Sequence, residues 1–375
     1  MIVYLIRRTL LMIPTLLGIL LLVFGIMKAA PGDVADLLLS ADGELTPGDT
    51  AARVAYLEER YGLNKPWYIQ LGRWMHNVSP IGVYEQPEDA EYQEGGWGFA
   101  LSPDEDGTPR GFGFKVPDLG QSFVKNRPVS ELIAEALPIT ITLNLLALPG
   151  AYLLALAAGI YAARYRGKTF DLASGLGMLA LWSIPVIWAG VLLQGFLANR
   201  EYLAWFPTTG LNSLGSEDMP FFPRFAEEGF EPGYLLDWLW HLVLPVVCLS
   251  YASLAFLSKL SRGAVVESLS SDYIRTARAK GLPDNEVLWN HALANSLLPL
   301  ITVAAFIIPG LLGGSIIVER IFGIPGMGKL MIESIEFKDQ EVVMAVTLIS
   351  GVLTLTAYLI ADLLYAVVDP RVTFE

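Results

Sequence analysis

Residues 272–300 read DYIRTARAKGLPDNEVLWNHALANSLLPL, and their position between two long apolar runs decides how the rest of the chain is organised. The stretch has helical periodicity, yet Arg275, Arg278 and Lys280 give it too much charge for lipid, and it is too short to be a domain. Gly281, followed by Leu282 and Pro283, breaks the helix. The reading is helix, sharp turn, helix: a knob on one face of a membrane, held by something outside the lipid. Arg275, Thr276, Arg278 and Lys280 supply polar contacts, Ala277 and Ala279 small surfaces that permit close approach, and Gly281 and Leu282 the turn.

Composition agrees with a bilayer setting. Of 375 residues, 53% are hydrophobic and 17% charged, against about 25% charged in soluble domains. The single cysteine, Cys248, lies in an apolar run, which leaves no disulfide framework and no thiol metal site. The formal net charge of −13 is local, since residues 31–136 hold 18 Asp and Glu against 8 Lys and Arg. A nucleic-acid partner is not expected.

Residues 9–27 are uncharged and long enough to span, a bilayer core of about 30 Å requiring about 20 helical residues. The run exceeds the usual apolar core of a cleaved signal peptide, so it is taken as a retained first helix. Further spans are expected at 137–163, 172–197, 238–258, 292–318 and 342–361, the last continuing past Asp362 to 368. The basic turn Arg164-Tyr165-Arg166-Gly167-Lys168 belongs on the cytoplasmic side. Six spans then place both termini, the 262–291 loop and the 369–375 tail inside, together with Arg7, Arg8, Arg262 and Arg371. The expected fold is an all-α polytopic membrane protein of about six transmembrane helices with a large extracytoplasmic loop after the first.

That loop divides further. Helical stretches are expected at 51–61 and 67–76, separated by the stop Gly62-Leu63-Asn64-Lys65-Pro66. Residues 77–117 are rich in Gly, Pro and acid with interspersed aromatics, and read as an insertion folded into a small β-hairpin module or ordered on contact. Two roles stay open for it: a solvated loop that tolerates length, or a surface that docks or caps a delivery protein. The domain reading is 1–30, 31–136, a core over 137–368, and 369–375.

The quoted knob resembles the coupling loop of ABC importer membrane subunits. Aligned on Gly281, Arg275-Thr276-Ala277 stands for that loop's Glu-Ala-Ala, and His291-Ala292-Leu293-Ala294 for its Ile-x-Leu-Pro. RTARAKGL, with HALANSLLPL starting after eight intervening residues, looks like the dipeptide, oligopeptide and nickel permease branch. So do APGD at 30–33, YGLNKPWYIQLGRW at 61–74, DLGQSF at 118–123, NRPVSELI at 126–133, LAWFPTTG at 203–210 and ERIFGIPGMG at 319–328, the last resembling a re-entrant element. The resemblance implies a permease subunit in a bacterial cytoplasmic (inner) membrane, working with a homologous second permease, two ATP-binding subunits and an extracytoplasmic solute-binding protein. ATP hydrolysis would lie on the partners and no cofactor on this chain. Di- or oligopeptides would be the cargo, with nickel or another small solute as the alternative.

Other chemistry is thin. Gly323-Ile-Pro-Gly-Met-Gly328-Lys329-Leu330 nearly spells a phosphate-binding loop, but Leu330 replaces the hydroxyl that holds magnesium. His76, His241 and His291 are scattered and are not expected to share a metal. Asp362 is the one clear charge within a span, expected to pair with Arg371 or Arg262. Pro309, Gly310, Gly313 and Gly314 in the fifth span are the candidate gate, loosening the helix and permitting close packing. An ion-coupled secondary transporter, the alternative from another class, would want more charge at mid-membrane than this chain offers.

Overall fold

A backbone in hydrocarbon has no water to satisfy it, so uncharged runs of spanning length fold as helices that satisfy themselves. The computed structural model describes residues 2–30, 65–85, 96–101, 110–226, 229–307 and 316–368. Its helices are α1 (Ile2–Ala29), α2 (Trp67–Val78), α3 (Val129–Arg164), α4 (Thr169–Ser183), α5 (Val186–Leu193), α6 (Gly233–Leu269), α7 (Asp272–Ala279), α8 (Leu293–Ile307), α9 (Ile316–Ile321), α10 (Met327–Glu336) and α11 (Gln340–Val368). Among the described residues, four helices are long and apolar enough to cross a membrane, and α4 with α5 makes a fifth if that bent pair is one span. The protein is thus an α-helical polytopic membrane protein. The expected span at 292–318 begins in α8, and residues 308–315 lie outside the described residues, as do the helix expected at 51–61, the candidate gate Pro309, Gly310, Gly313 and Gly314, and the 369–375 tail.

One expected span is not straight. Residues 172–197 bend by 94° between α4 and α5. Pro185 has no N–H to continue the helix, and it forces Ile184 before it into extended backbone, φ −84° and ψ 119°. The carbonyl freed at Ile184 accepts the Tyr251 hydroxyl at 2.6 Å. Beyond the bend, Gly190 lets α5 close on α9, since a Cβ there would meet Ile321 Cδ1 at 2.9 Å.

The chain forms two compact units. The first comprises Met1–Met12, Glu135–Ile332 and Ser350–Glu375. In it α3 lies close against α6, where a Cβ on Gly159 would fall 2.8 Å from the Arg262 backbone nitrogen. Leu143, Leu242, Leu244, Val318, Phe322 and Ile324 form one of its buried clusters. Asp362 does not pair with Arg262, as the sequence suggested; it accepts the Tyr4 hydroxyl at 2.8 Å and pairs with Arg8 at 2.8 Å. Arg262 goes instead to Asp171.

The loop that nearly spells a phosphate-binding motif encloses a carboxylate of the chain's own. Glu319 is 1% exposed. Its Oε1 accepts the Thr140 hydroxyl at 3.0 Å and its Oε2 the Lys329 N–H at 2.9 Å, while the Met327 N–H donates to Thr140 Oγ1 at 2.9 Å. The carboxylate therefore caps the first turn of α10, where backbone donors and the helix dipole favour negative charge. Gly326 and Gly328 are glycines because of this: a Cβ on Gly326 would lie 2.6 Å from the carboxylate, and one on Gly328 2.7 Å from the Ile316 nitrogen.

The second unit comprises Ile13–Ala134 and Glu333–Ile349. Leu20, Phe24, Leu71, Trp74, Val78 and Met344 form its core. Where a hairpin was expected, β1 (Ile81–Glu85), β2 (Gly96–Leu101) and β3 (Arg110–Lys115) make a three-stranded antiparallel sheet with β3 in the middle. Its register sets Gly82, Gly113 and Gly98 in one row, and the His76 ring covers Gly82. Within the DLGQSF stretch, Ser122 donates its hydroxyl to the buried Asp339.

Gly328→Ala should lower the stability of the purified chain by about 1–3 kcal/mol, the usual penalty of overpacking against backbone. Gly263→Ala, whose Cβ meets nothing within 4 Å, should leave the melting temperature unchanged or raised. Equal melting of the two variants would remove the structural reading of the glycine loop.

Candidate coupling knob

The knob is built from α6 outward. After Leu269 the chain turns through Ser270 and Ser271, and α7 carries Ile274 and Ala277 three residues apart on one face. Both are buried, against Val287 and Ala292, with Leu269 and Leu282 at the margin. Burying residues such as Ile274 and Val287 contributes about 1.5–3 kcal/mol each, so the knob has a core of its own. Ser268 fastens it to the chain that leads into α8, donating to the Ala292 carbonyl at 2.9 Å. Residues 284–292 continue as a short helical turn and a π-helical segment, Val287–Ala292, into α8.

The opposite face of α7 is polar and open. Arg275 and Arg278 are 76% and 51% exposed in their side chains and make only surface ion pairs, with Asp272 at 3.1 Å and Asp284 at 3.4 Å. Such pairs are worth little in water and leave the guanidinium groups available. Thr276, Ala279 and Lys280 are also exposed. Ala277 corrects an expectation: its small side chain faces the knob's own core and offers no surface to a partner. Gly281 sits at φ +83° with nothing within 4 Å of where a Cβ would be. Conformation and not space requires glycine here, because the left-handed turn ends α7, with the Gly281 N–H on the Arg278 carbonyl (2.9 Å) and the Leu282 N–H on that of Ala277 (3.4 Å). Burial pushes the Tyr273 phenol up, but hydrogen bonds with Ser268, Asn295 and Ser271 outweigh it and leave the group below the usual tyrosine range.

Two contacts that sequence reasoning missed fix what lies beside the knob. Asp171, in the first turn of α4, takes the Arg262 guanidinium in two-pronged fashion, Nε to Oδ1 and Nη2 to Oδ2 (2.7 Å), and also accepts the Gly167 N–H at 2.9 Å. Arg164 donates to the Asn285 side chain at 3.3 Å. The basic turn 164–168 and the knob thus share one end of the first unit, as their charges implied. The only sequence signal for the pair was an acid placed just after a basic turn.

Among the described residues no group of three or more His, Cys, Asp or Glu is arranged to hold a metal. His241 Nδ1 is spent within its own helix, on the Asp237 carbonyl at 2.8 Å.

Residues 155–374, which include the knob, match the family described as the binding-protein-dependent transport system inner membrane component. The chain belongs to this family. It is 37% identical to the oligopeptide transport system permease protein AppB of Bacillus subtilis (strain 168), over 99% of both chains. A putative peptide transport system permease protein of Brucella abortus (strain 2308) is 33% identical over 97% of this chain and 96% of its own. The dipeptide transport system permease protein DppB of Alkalihalophilus pseudofirmus is 30% identical over the full length of both. As a binding-protein-dependent permease component, the protein works as part of a transport system.

Replacing Ile274 by Ala should cost about 2–5 kcal/mol locally, and Gly281 by Ala about 1–2 kcal/mol for a left-handed non-glycine residue. Hydrogen exchange at residues 272–292 should accelerate in both variants while the rest of α6 stays protected. Uniform acceleration along α6 would mean that the knob has no core of its own.

Proposed function

We propose that the protein is the transmembrane permease subunit of an ATP-driven, binding-protein-dependent importer of di- or oligopeptides. The observation that carries the reading is the knob: a small self-packed helix, presented at the end of a 37-residue helix, with Arg275, Thr276, Arg278, Ala279 and Lys280 outward. A surface so built suits a groove on a separate ATP-hydrolysing subunit. Relatives named for peptides, dipeptides and oligopeptides support the cargo.

In this reading both termini and the knob face the cytoplasm, and the loop after the first span lies on the side of the solute-binding protein. A homologous second permease completes the pathway, with two ATP-binding subunits beneath. Closure of the ATPase pair presses on α7. Because α7 is packed into α6 and the start of α8 through Ile274, Ser268 and Ala292, the push passes to the spans as movement of rigid elements and not as local deformation. The chain's own work is mechanical: it transmits force and opens a path, while bond chemistry occurs on its partners.

The test is co-purification of the tagged chain from its native membrane, comparing wild type with the double variant Arg275→Glu, Arg278→Glu. Wild type should bring a sister permease and an ATPase; the variant should keep the sister permease, lose the ATPase and lose uptake of labelled dipeptide. Retention of the ATPase with full uptake would sink the coupling role, and wild-type uptake that persists without ATP would sink the importer reading.

A further inference from the structure

We propose that the crevice between α4 and α6 holds an anionic phospholipid, with its phosphate at Lys259 and an acyl chain along Met178, Leu179, Trp182 and Phe256. Two cavities carry the inference. One, of about 290 Å³, is bounded by Asp171, Ser174, Ser258, Lys259 and Arg262. The other, of about 190 Å³, is bounded by Met178, Leu179, Trp182, Ala255, Phe256 and Lys259. They share Met178, Leu179 and Lys259, and so form one crevice that is polar at one end and apolar at the other.

The charges at the polar end are unequal. Asp171 is the acid there, and Arg262 and the Gly167 N–H already occupy it. Lys259 is exposed and makes no ion pair or hydrogen bond among the described residues. Arg164, Arg166 and Lys168 belong to the turn that Gly167 ties to the same carboxylate. A free cation therefore stands where further positive charge surrounds it, and it calls for an anion.

Depth selects the anion. Lys259 lies ten residues before the end of α6, about 15 Å at 1.5 Å per residue, and directly follows the uncharged run 238–258. That is the boundary where a lysine stem lies along apolar surface while its ammonium reaches the headgroups. Trp182 and Phe256, 55% and 42% exposed with ring centroids 5.7 Å apart, line the crevice on its apolar side. A protein partner would have to bring a carboxylate to this depth against the penalty of burying charge in lipid. A phospholipid already has its phosphate at the boundary and its chain in the hydrocarbon, so one molecule satisfies both ends; basic pockets between spanning helices are known to take such headgroups.

The proposal requires only that the chain spans a membrane, and it stands apart from the cargo. Its test uses the assembled transporter in phosphatidylcholine vesicles containing either brominated phosphatidylglycerol or brominated phosphatidylcholine, with tryptophan fluorescence as readout. Trp182→Phe isolates the signal of that ring from the other eight tryptophans of the nine. Quenching of the Trp182 component should be stronger with the anionic lipid. That preference should be lost in Lys259→Gln, retained in Lys259→Arg, and untouched by added inorganic phosphate. Equal quenching by both lipids, a preference that survives Lys259→Gln, or competition by phosphate would overturn it. So would a Trp182 shielded from both lipids, which would mean that a protein covers the crevice.

Discussion

Asp171 is the polar group on which the working end of the first unit depends. At 6% exposure it is largely withdrawn from water, and a carboxylate so placed is best tolerated when its oxygens are met by donors. Arg262 meets both oxygens with a rigid planar fork, and the Gly167 N–H adds a third bond. The start of α4, the basic turn and the inner part of α6 are thereby fastened together. Because Gly159 admits α3 to within contact of the Arg262 backbone, the same residue also marks where three helices converge. The knob follows from here at the end of the same helix, so its base is clamped and not free.

The same rule, that polar groups removed from water must find partners within the chain, explains the other fixed points. Glu319 is held by Thr140 and by the backbone of α10, Asp362 by Tyr4 and Arg8, and the Ile184 carbonyl freed at the bend by Tyr251. In the second unit Ser122 does this for Asp339. Each is a place where an apolar bundle is made specific, because a polar group with one suitable partner discriminates between registers that apolar packing alone would accept.

Much of this was legible. Spanning helices declare themselves by apolar length alone, and Gly281 by standing between a helical stretch and Leu-Pro. The fork of Asp171 and Arg262 was not, since 91 residues separate them and nothing in sequence marks two distant charges as neighbours. The bend at Pro185 was hidden for another reason: Pro138, Pro149 and Pro245 lie inside continuous helices, so proline by itself does not announce a break. What distinguishes Pro185 is the Tyr251 hydroxyl waiting for the released carbonyl, a tertiary fact. Ala277 was open to better reading, because Ile274 and Ala277 share a face at three-residue spacing and Arg275 and Arg278 share the other. The spacing alone assigns the alanine to the inside.

Basic residues crowd this end of the protein, and the usual asymmetry of loop charges would account for their number. It does not account for their different environments. Arg262 is spent on a buried acid and acts as a structural brace. Lys259 has no partner among the described residues and faces an apolar crevice at membrane depth. Arg275 and Arg278 stand in water on a knob whose packing faces the other way. One sign of charge thus meets three surroundings, protein interior, apolar crevice and open water, and the surroundings in each case are set by how far along α6 and α7 the residue lies. Moving a charge by a few positions would leave the loop as basic as before and change what it touches, which is why the positions carry information that the count does not.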